Sequence, residues 1–149
     1  MSERVGYAPG VYEMFHVGHL NILRRAKEHC DCLVARVVSD AMCEPAKGRE
    51  PIIPQAERPQ IVQHVSYMDE TIIDVVLDKL VTWESVRFDV IFKGDDWRGT
   101  LKGRRLKRDL ARVGVEVVHF PYTARTSSSM LRRVLSEVIA EPEREVATG

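Results

Sequence analysis

Short apolar runs alternate with stretches of helical spacing along nearly the whole chain. Five apolar runs predict β-strands, at Val5–Ala8, Leu33–Val38, Thr71–Val76, Val90–Phe92 and Val115–His119. The stretches between them predict helices, at His16–His29, Gln55–Val65, around Trp83–Val86, at Leu101–Val113, and over a closing helix whose apolar face is Met130, Leu131, Val134, Leu135 and Val138. The near-continuous apolarity of the second run is typical of a parallel strand that is covered on both faces.

Strands that alternate with helices in this way predict right-handed crossovers and a doubly wound, parallel α/β sheet. We expect five strands in the order 3-2-1-4-5, with residues 1–140 forming one domain. The proline-containing segment Glu44–Pro54 predicts a loop, and the polar segment Glu141–Gly149 predicts a frayed tail or a linker. In such sheets a ligand binds beyond the carboxyl ends of the strands, where the strand order reverses.

Composition and charge exclude several classes of protein. The 149 residues suffice for one domain with a buried core. Basic and acidic residues number 22 each, and the zero net charge argues against nucleic-acid binding through bulk electrostatics. The sequence shows no apolar run long enough to span a membrane and no recognisable signal peptide. We therefore expect no membrane partner and a cytoplasmic location. The three cysteines lack zinc-ligand spacing, so reduced thiols and no protein-held metal are expected.

The segment GVYEMFHVGH, from Gly10 to His19, follows the first predicted strand and carries two histidines. Gly10 allows the backbone to turn closely past a ligand. Gly18 allows the next helix to approach that ligand with its free N–H groups and its positive dipole end. His16 and His19 then lie at the mouth of the helix and face the same anion. The segment therefore predicts an anion-binding site.

A second anion site is predicted before the closing helix. In TARTSSSMLRR, three serines precede an apolar helical stripe, so their hydroxyls and the unpaired N–H groups of the helix converge with Arg125. In the expected strand order the two helix starts can bind two parts of one polyphosphate. A nucleoside triphosphate is the ligand that this arrangement favours.

Several segments together carry a resemblance to a known family. GVYEMFHVGH resembles the GTFDxxHxGH signature of the nucleotidylyltransferase superfamily, and TSSSM resembles its second signature, ISTT or ISST. Between them, SYMDETI, FDVIFKGDDWRG and VEVVHFPYT resemble, in order, segments of the glycerol-3-phosphate cytidylyltransferase group. The resemblance extends over roughly Val5 to Leu135, and GDDW separates this group from the adenylyltransferases that share the first signature. It implies a Rossmann-like fold.

The resemblance also implies a reaction, in which a phosphate of the acceptor attacks the α-phosphorus of CTP in line and releases pyrophosphate. His16, His19 and Lys47 match family residues that contact the triphosphate and stabilise the transition state, although Lys47 also suits a solvated loop. The residues that match nucleotide-binding positions are Gly10, Val11, Tyr12, Glu13, Gly18, Gly94, Asp95, Asp96, Trp97, Tyr122, Arg125, Thr126, Ser127 and Ser128. The phosphates of CTP are expected to carry Mg²⁺, and a homodimer is expected because relatives usually are dimers.

Departures from the family pattern concern charged residues near the phosphates. Glu13 replaces the usual aspartate, and Ser66 and Tyr122 stand where the group commonly carries basic residues. Arg125 and Arg36 are the candidates to replace the missing guanidinium groups. Arg36 lies within an apolar strand, so the alternative is that its stem follows the sheet and its head reaches a carboxylate or a dimer surface.

Two acceptors fit these departures. Glycerol 3-phosphate is the commonest in the group, and 2-hydroxyethylphosphonate, as in fosfomycin-type antibiotic pathways, is the alternative, in which case the tail leads to a second catalytic domain. Lys79 and Arg36 are the candidates for binding the acceptor's charge. Two further alternatives are a non-catalytic nucleotide-binding module and an adenylyltransferase of the pantetheine-phosphate type. The intact histidines and Lys47 argue against the first, and GDDW argues against the second.

Overall fold

The computed structural model describes residues 3–47, 50–76, 78–95, 98–122 and 124–140, apart from the side chains of residues 44–47. Five strands lie in these ranges: β1 (Val5–Gly10), β2 (Cys32–Val38), β3 (Glu70–Asp74), β4 (Val90–Gly94) and β5 (Glu116–Phe120). Six helices alternate with them: α1 (Val17–Glu28), α2 (Asp40–Lys47), α3 (Arg58–Gln63), α4 (Lys79–Val86), α5 (Leu101–Ala111) and α6 (Ser128–Ala140). None of these six helices has the length and apolarity that crossing a membrane requires.

The strands form one parallel sheet in the order β3-β2-β1-β4-β5, which confirms the predicted doubly wound topology. β1 pairs with β2 from Val5, opposite Cys32, to Gly10, opposite Val37. On its other side β1 pairs with β4. The strand order therefore reverses between β1 and β4, and the segments that follow these two strands leave the same edge of the sheet.

Apolar side chains cover both faces of the sheet. Tyr7 of β1 stacks on Phe88 with ring centroids 4.5 Å apart, and Ile91 and Leu110 are buried in the same cluster. The opposite face packs in a larger cluster that includes Ala8, Leu23, Leu33, Ala35, Val37, Val62, Phe92 and Phe120. Because neighbouring strand residues are buried on opposite faces, β1 and β2 read as continuous apolar runs.

The structure corrects the loop predicted at Glu44–Pro54, because α2 extends to Lys47 and occupies the first residues of that segment. The hydroxyl of Ser39 accepts the N–H of Met42 at 3.3 Å and caps the start of this helix. The predicted loop began too early because the prolines and the glycine of this segment are typical of loops. Lys47, predicted as a loop residue, is the last residue of α2.

Two other helices begin or end away from their predicted positions. α4 starts at Lys79 rather than near Trp83, because the carboxylate of Asp78 accepts the N–H of Leu80 at 2.9 Å and caps the helix. α3 spans only six residues and has a proline in its first turn, where the fixed φ of proline favours a helix start. Both differences come from capping and turn residues rather than from the apolar periodicity.

The later part of the apolar face predicted for the closing helix is exposed, whereas Met130 and Leu131 at its start are partly buried. No residue of α6 is buried. Val134, Leu135 and Val138 are exposed at 46%, 38% and 61% of their surface. The homodimer that the family resemblance implies remains a prediction.

A buried arginine joins the segments that follow β1 and β2. Arg58, at the start of α3, is 1% exposed. Its guanidinium donates hydrogen bonds to the backbone oxygens of Val11, Val38 and Ile53 at 2.7, 2.8 and 2.8 Å. It also pairs with the carboxylate of Asp40 at 2.6 Å. One buried cation therefore fixes the ends of two neighbouring strands against the segment before α3.

Replacing Arg58 with methionine should destabilise the protein by about 3 kcal/mol or more, because three backbone oxygens and Asp40 lose a buried partner. We expect a lower urea midpoint with an unchanged slope of the transition. Arg104→Met, at an exposed arginine of α5, is the matched control and should stay within about 0.5 kcal/mol of the wild type. Equal stability of Arg58→Met and the wild type would refute the role assigned to this side chain.

Candidate functional site

Two adjoining cavities lie beyond the carboxyl ends of β1 and β4. The helix cavity, about 370 Å³, lies between the starts of α1 and α6, and its lining includes His16, Gly18, Ala124, Thr126, Ser127 and Ser129. The strand cavity, about 360 Å³, lies over the strand ends, and its lining includes Gly10, Val11, Tyr12, Glu13, Lys79 and Gly94. Four residues, His19, Ile22, Tyr122 and Ser128, line both cavities. The two cavities therefore form one cleft at the predicted switch point.

Two histidines cap the N-terminus of α1. His16 has extended backbone, with φ −139° and ψ −179°, and its Nδ1 accepts the N–H of Gly18 at 3.0 Å. The Nδ1 of His19 accepts the N–H of His16 at 3.2 Å. The pair forms a reciprocal capping box in which imidazoles take the places of the usual hydroxyl and carboxylate. The spacing of the two histidines is therefore the spacing that a capping box requires.

The capping bonds also fix which ring nitrogen carries the proton. Both Nδ1 atoms accept hydrogen bonds, so in each neutral ring the proton is on Nε2. The centroids of the His16 and His19 rings lie 4.0 Å apart, with their planes inclined by 32°. Burial lowers the pKa of His16, which favours the neutral ring at pH 7. Both residues line the helix cavity, so both rings lie beside any anion that binds there.

The start of α6 lies beside the start of α1. The hydroxyl of Ser127 accepts the N–H of Met130 at 3.1 Å and caps α6. The hydroxyl of Ser128 donates to the backbone oxygen of Glu13 at 2.6 Å, and its oxygen lies 3.3 Å from Nε2 of His16, from which it accepts. A chain of hydrogen bonds from His16 through Ser128 to Glu13 therefore joins the two helix starts.

The electrostatics of the cleft favour a polyanion. Neither α1 nor α6 has an acidic residue in its first turn, although that is where acidic residues are most favourable. The partial positive charge of each helix end is thus available to a ligand. The carboxylate of Glu13, which lines the strand cavity, is 4% exposed and pairs with Arg132 of α6 at 2.6 Å.

Glu13 holds the turn between β1 and α1 in shape. Its Oε2 accepts the N–H of Ile52 at 2.6 Å and its Oε1 accepts the N–H of Ile53 at 3.0 Å. On either side of it, Tyr12 and Met14 have positive φ values of 54° and 45°, which are uncommon for residues with side chains and cost energy. The described contacts of Glu13 are thus with the protein itself, and its contact with a nucleotide stays a prediction.

The structure brings most of the predicted nucleotide-binding residues to the cleft. Eight of them besides Glu13 and Ser128 line a cavity: Gly10, Val11, Tyr12, Gly18, Gly94, Tyr122, Thr126 and Ser127. Asp95 follows the last residue of β4 and pairs with Arg98 at 3.3 Å. Arg125 is exposed and lines neither cavity, so the structure does not place it as a replacement for the missing arginine at Tyr122.

Three predicted residues have no described side chain. Lys47 is the last residue of α2, and its side chain lies outside the described part of the chain. Asp96 and Trp97, in the GDDW segment, also lie outside the described residues. The roles assigned to these three residues stay predictions.

The two candidates for binding the acceptor's charge meet at one carboxylate. Asp74, the last residue of β3, has no exposed surface. Its Oδ2 pairs with Nζ of Lys79 at 2.9 Å, and its Oδ1 pairs with Nη1 of Arg36 at 3.4 Å. Lys79 lines the strand cavity, but Arg36 does not. The structure thus shows the alternative expected for Arg36, a head group that reaches a carboxylate.

Sequence reasoning missed three charged residues that organise the cleft, namely Arg58, Asp74 and Arg132. Asp74 gave a signal, because it is a carboxylate inside the apolar run that predicts the third strand, Thr71–Val76. Arg58 and Arg132 gave none, because their partners Val11 and Glu13 lie 47 and 119 residues away in the sequence. Only the folded chain brings these groups together.

Residues 7–134 match a family model described as Cytidylyltransferase-like. The FAD synthase of Pyrococcus abyssi is 30% identical over 135 residues, which cover 87% of this chain and 88% of that protein. The FAD synthase of Thermococcus kodakarensis is 30% identical over 134 residues, with the same coverage of both chains. The range matched by the family model contains both helix starts and the cleft between them.

Solved structures share the fold. A lipopolysaccharide core biosynthesis protein from Thermoplasma volcanium has a TM-score of 0.69 at 22% identity, over 84% of this chain and 100% of that chain. Pantothenate synthetase from Thermus thermophilus has a TM-score of 0.64 at 22% identity, over 87% of this chain and 61% of that chain. At these identities the similarity establishes the Rossmann-like architecture alone.

Replacing Gly18 with alanine should displace the ring of His16, because the added Cβ would lie 2.7 Å from its Cε1 and 2.9 Å from its Nδ1. We expect shifted His16 ring resonances in NMR spectra and a loss of about 1 kcal/mol of stability, the scale of one helix cap. Val17→Ala, at a half-exposed neighbour, is the control and should leave the His16 resonances in place. Unmoved resonances in Gly18→Ala would contradict the tight contact.

Acidification should remove the contribution of His16 to stability. The pKa of His16 in the folded protein lies below the unfolded value of 6.5, so this contribution is present above pH 6.5 and is lost as the pH falls through the folded pKa. His16→Asn keeps a capping side chain that does not titrate. Below pH 6.5, the urea midpoint of the wild type should therefore fall relative to that of His16→Asn. A constant difference between about pH 8 and pH 5 would show that the pKa is not lowered.

Proposed function

Because the chain belongs to the Cytidylyltransferase-like family of nucleotidyltransferases, we propose that it transfers CMP from CTP to a small alcohol phosphate or phosphonate and releases pyrophosphate. Glycerol 3-phosphate is the first acceptor, and 2-hydroxyethylphosphonate is the alternative. One observation carries the proposal: two helix starts without acidic residues and two capping histidines meet at one cleft. We further propose that the enzyme acts in the cytoplasm as a homodimer.

The helix cavity suits the triphosphate. Its wall at α6 offers the hydroxyls of Thr126 and Ser127 and the helix N–H groups to the β- and γ-phosphates, while the hydroxyl of Ser128 is donated to the backbone oxygen of Glu13. Its wall at α1 offers the Nε2–H group of His19 to the α-phosphate, and His16 does the same when the phosphate replaces the Ser128 hydroxyl as the acceptor of its Nε2–H. The α-phosphorus then lies near the boundary of the two cavities, because His19 and Ser128 line both of them.

The chemistry needs positioning more than it needs a base. An oxygen of the acceptor's phosphate attacks the α-phosphorus in line, a P–O bond forms, and the bond to the β-phosphate's bridging oxygen breaks, so that pyrophosphate leaves with the electron pair. The nucleophile is already an anion, so no strong general base is required. His16 and His19 donate hydrogen bonds to the oxygens on which negative charge develops. Lys47 is proposed to neutralise part of the same charge.

The base and ribose are proposed to lie over the end of β4. Gly94 lines the strand cavity there, and Tyr122 lines both cavities. Asp95, Asp96 and Trp97 follow directly in the chain. We treat Mg²⁺ as part of the nucleotide substrate, since the triphosphate supplies the hard oxygen ligands that it prefers. Among the described residues, no group of three or more His, Cys, Asp or Glu could hold a metal ion.

Adenylyl transfer is the second candidate function. It is favoured by relatives at 30% identity that are named FAD synthases. FAD contains an adenosine monophosphate unit joined to a flavin phosphate, so the same in-line reaction, with ATP and a flavin phosphate, would make it. The GDDW segment, which resembles that of the cytidylyltransferase group, favours CTP.

The test is pyrophosphate release with CTP or ATP and Mg²⁺, against glycerol 3-phosphate, 2-hydroxyethylphosphonate and flavin mononucleotide. We expect release with CTP and one of the first two acceptors. Release with ATP and flavin mononucleotide would replace the proposal by the second candidate. CTP binding by calorimetry without release from any pair would replace it by a non-catalytic nucleotide-binding module.

In the same assay, His16→Ala or His19→Ala should lower kcat by about 10²-fold, the scale of losing one transition-state donor. His64→Ala, at an exposed histidine after α3, is the matched control and should keep wild-type activity. Circular dichroism should show that all three variants are folded. Full activity in either of the first two variants would refute the role of the histidines.

A further inference from the structure

A groove follows the free edge of the sheet. β5 is the last strand in the order, so within the described part of the chain it pairs with β4 alone. A cavity of about 500 Å³, which we call the edge groove, lies along this strand. Glu116–His119 of β5 line one wall, and Arg98, Arg104 and Lys107, before and within α5, line the other. Among the described residues, the edge groove shares no lining residue with the helix cavity or the strand cavity.

The backbone of β5 can bind an extended peptide at this edge. The N–H of Glu116 donates to the backbone oxygen of Asp89 at 3.1 Å, on the β4 side. Along a strand, the N–H and C=O groups of every second residue point to the same side, so those of Val117 and His119 point away from β4. Such an open edge accepts another extended segment through backbone hydrogen bonds.

The charge of the edge groove selects an acidic segment. Residues 98–112 contain seven basic residues and one acidic residue, which are Arg98, Lys102, Arg104, Arg105, Lys107, Arg108, Arg112 and Asp109. Within the described residues, two ion pairs involve these basic side chains, those of Arg98 and Arg108. Arg104 and Lys107, which line the groove, therefore have no carboxylate partner in that part of the chain. Glu116, the acidic residue of the lining, pairs with Arg4 at 2.6 Å, so two cations of the groove remain available to an anionic partner.

An acidic segment of this kind is present in the chain itself. Residues 141–149, EPEREVATG, lie outside the described residues. Glu141, Glu143 and Glu145 occupy alternate positions, so in an extended segment their side chains share one face and their N–H groups point to one side. Pro142 then directs its missing N–H to the opposite side, as proline does on edge strands. An extended segment of this length spans about 30 Å, twice the ~14 Å radius of gyration of a 140-residue domain, so it can reach across much of the surface.

We infer that the edge groove binds residues 141–149 of the same chain as an additional strand beside β5. Backbone groups of Val117 and His119 pair with the segment, and the side chains of Arg104 and Lys107 pair with its glutamates. A segment attached to the same chain has an effective concentration in the millimolar range, which favours it over the segment of a second copy in dilute solution. The inference is independent of the proposed reaction, because the groove is separate from the cleft.

The first experiment measures amide hydrogen exchange by NMR in the full chain. Replacing Glu141, Glu143 and Glu145 together with glutamine should make the Val117 amide exchange about tenfold faster, because its N–H loses a backbone partner. The amide of Val118, which points to β4, is the internal reference and should keep its rate. Glu137→Gln, at an exposed glutamate of α6, is the matched control and should leave both rates unchanged.

A second experiment exchanges the charges of the two partners. Arg104→Glu combined with Lys107→Glu should also make the Val117 amide exchange about tenfold faster. Adding Glu143→Lys and Glu145→Lys to that variant should restore the slow exchange, because opposite charges then face each other again. Arg112→Glu, at an exposed arginine that ends α5 and does not line the groove, is the control. If the variant with both groove substitutions does not fold, the glutamine variant decides the outcome.

The outcomes separate the possible occupants of the groove. Equal exchange of the Val117 amide in the wild type and the glutamine variant would overturn the inference, because the segment would then not cover the edge. Fast exchange in the charge-exchanged variant would overturn the pairing of the glutamates with Arg104 and Lys107. Exchange that becomes faster when the wild type is diluted about tenfold would show that a second copy supplies the segment, and would overturn its assignment to the same chain.

Discussion

The turn after β1 is held between two buried charges, and the rest of the cleft depends on this arrangement. Glu13 accepts the N–H groups of Ile52 and Ile53, while Arg58 donates to the backbone oxygens of Ile53 and Val11. Charges of this kind are costly to bury unless hydrogen bonds and opposite charges surround them. Here backbone groups and paired side chains do so, and the turn can keep two residues with positive φ beside the site.

The same turn places the two helix starts. Ser128, at the first position of α6, donates to the backbone oxygen of Glu13 and contacts His16, the cap of α1. Arg132, one turn further along α6, pairs with the Glu13 carboxylate. The glutamate thus fixes α6 through its backbone and its side chain, and it reaches one methylene further than the aspartate usual at this position of the family signature. Both helix ends keep their positive charge for a ligand, because neither first turn is acidic.

The positive charge at the cleft comes from the placement of a few groups and not from the net charge of the chain. The net charge is zero, yet the cleft combines two positive helix ends with a lysine whose neighbouring carboxylate is already balanced by an arginine. Two positive helix ends at one cleft suit a compact polyanion. In the proposed function, selection between CTP and ATP is assigned to the residues after β4.

The sequence alone predicted the strands and both helix starts, because these depend on contacts over a few residues. It predicted the strand order through the general rules of doubly wound sheets. The His16 and Ser127 caps bind N–H groups two and three residues ahead, and the apolar runs follow from covering each strand on both faces. The predicted bounds of α2 and α4 were wrong because their ends are set by capping residues, which the apolar pattern does not show. Only the tertiary structure decided the partners of the buried charges: Arg58 with the backbone oxygen of Val11, Arg132 with Glu13, and Arg36 with Asp74. These groups are far apart in sequence, and a buried charge carries no periodic pattern, so its partner is set by packing alone.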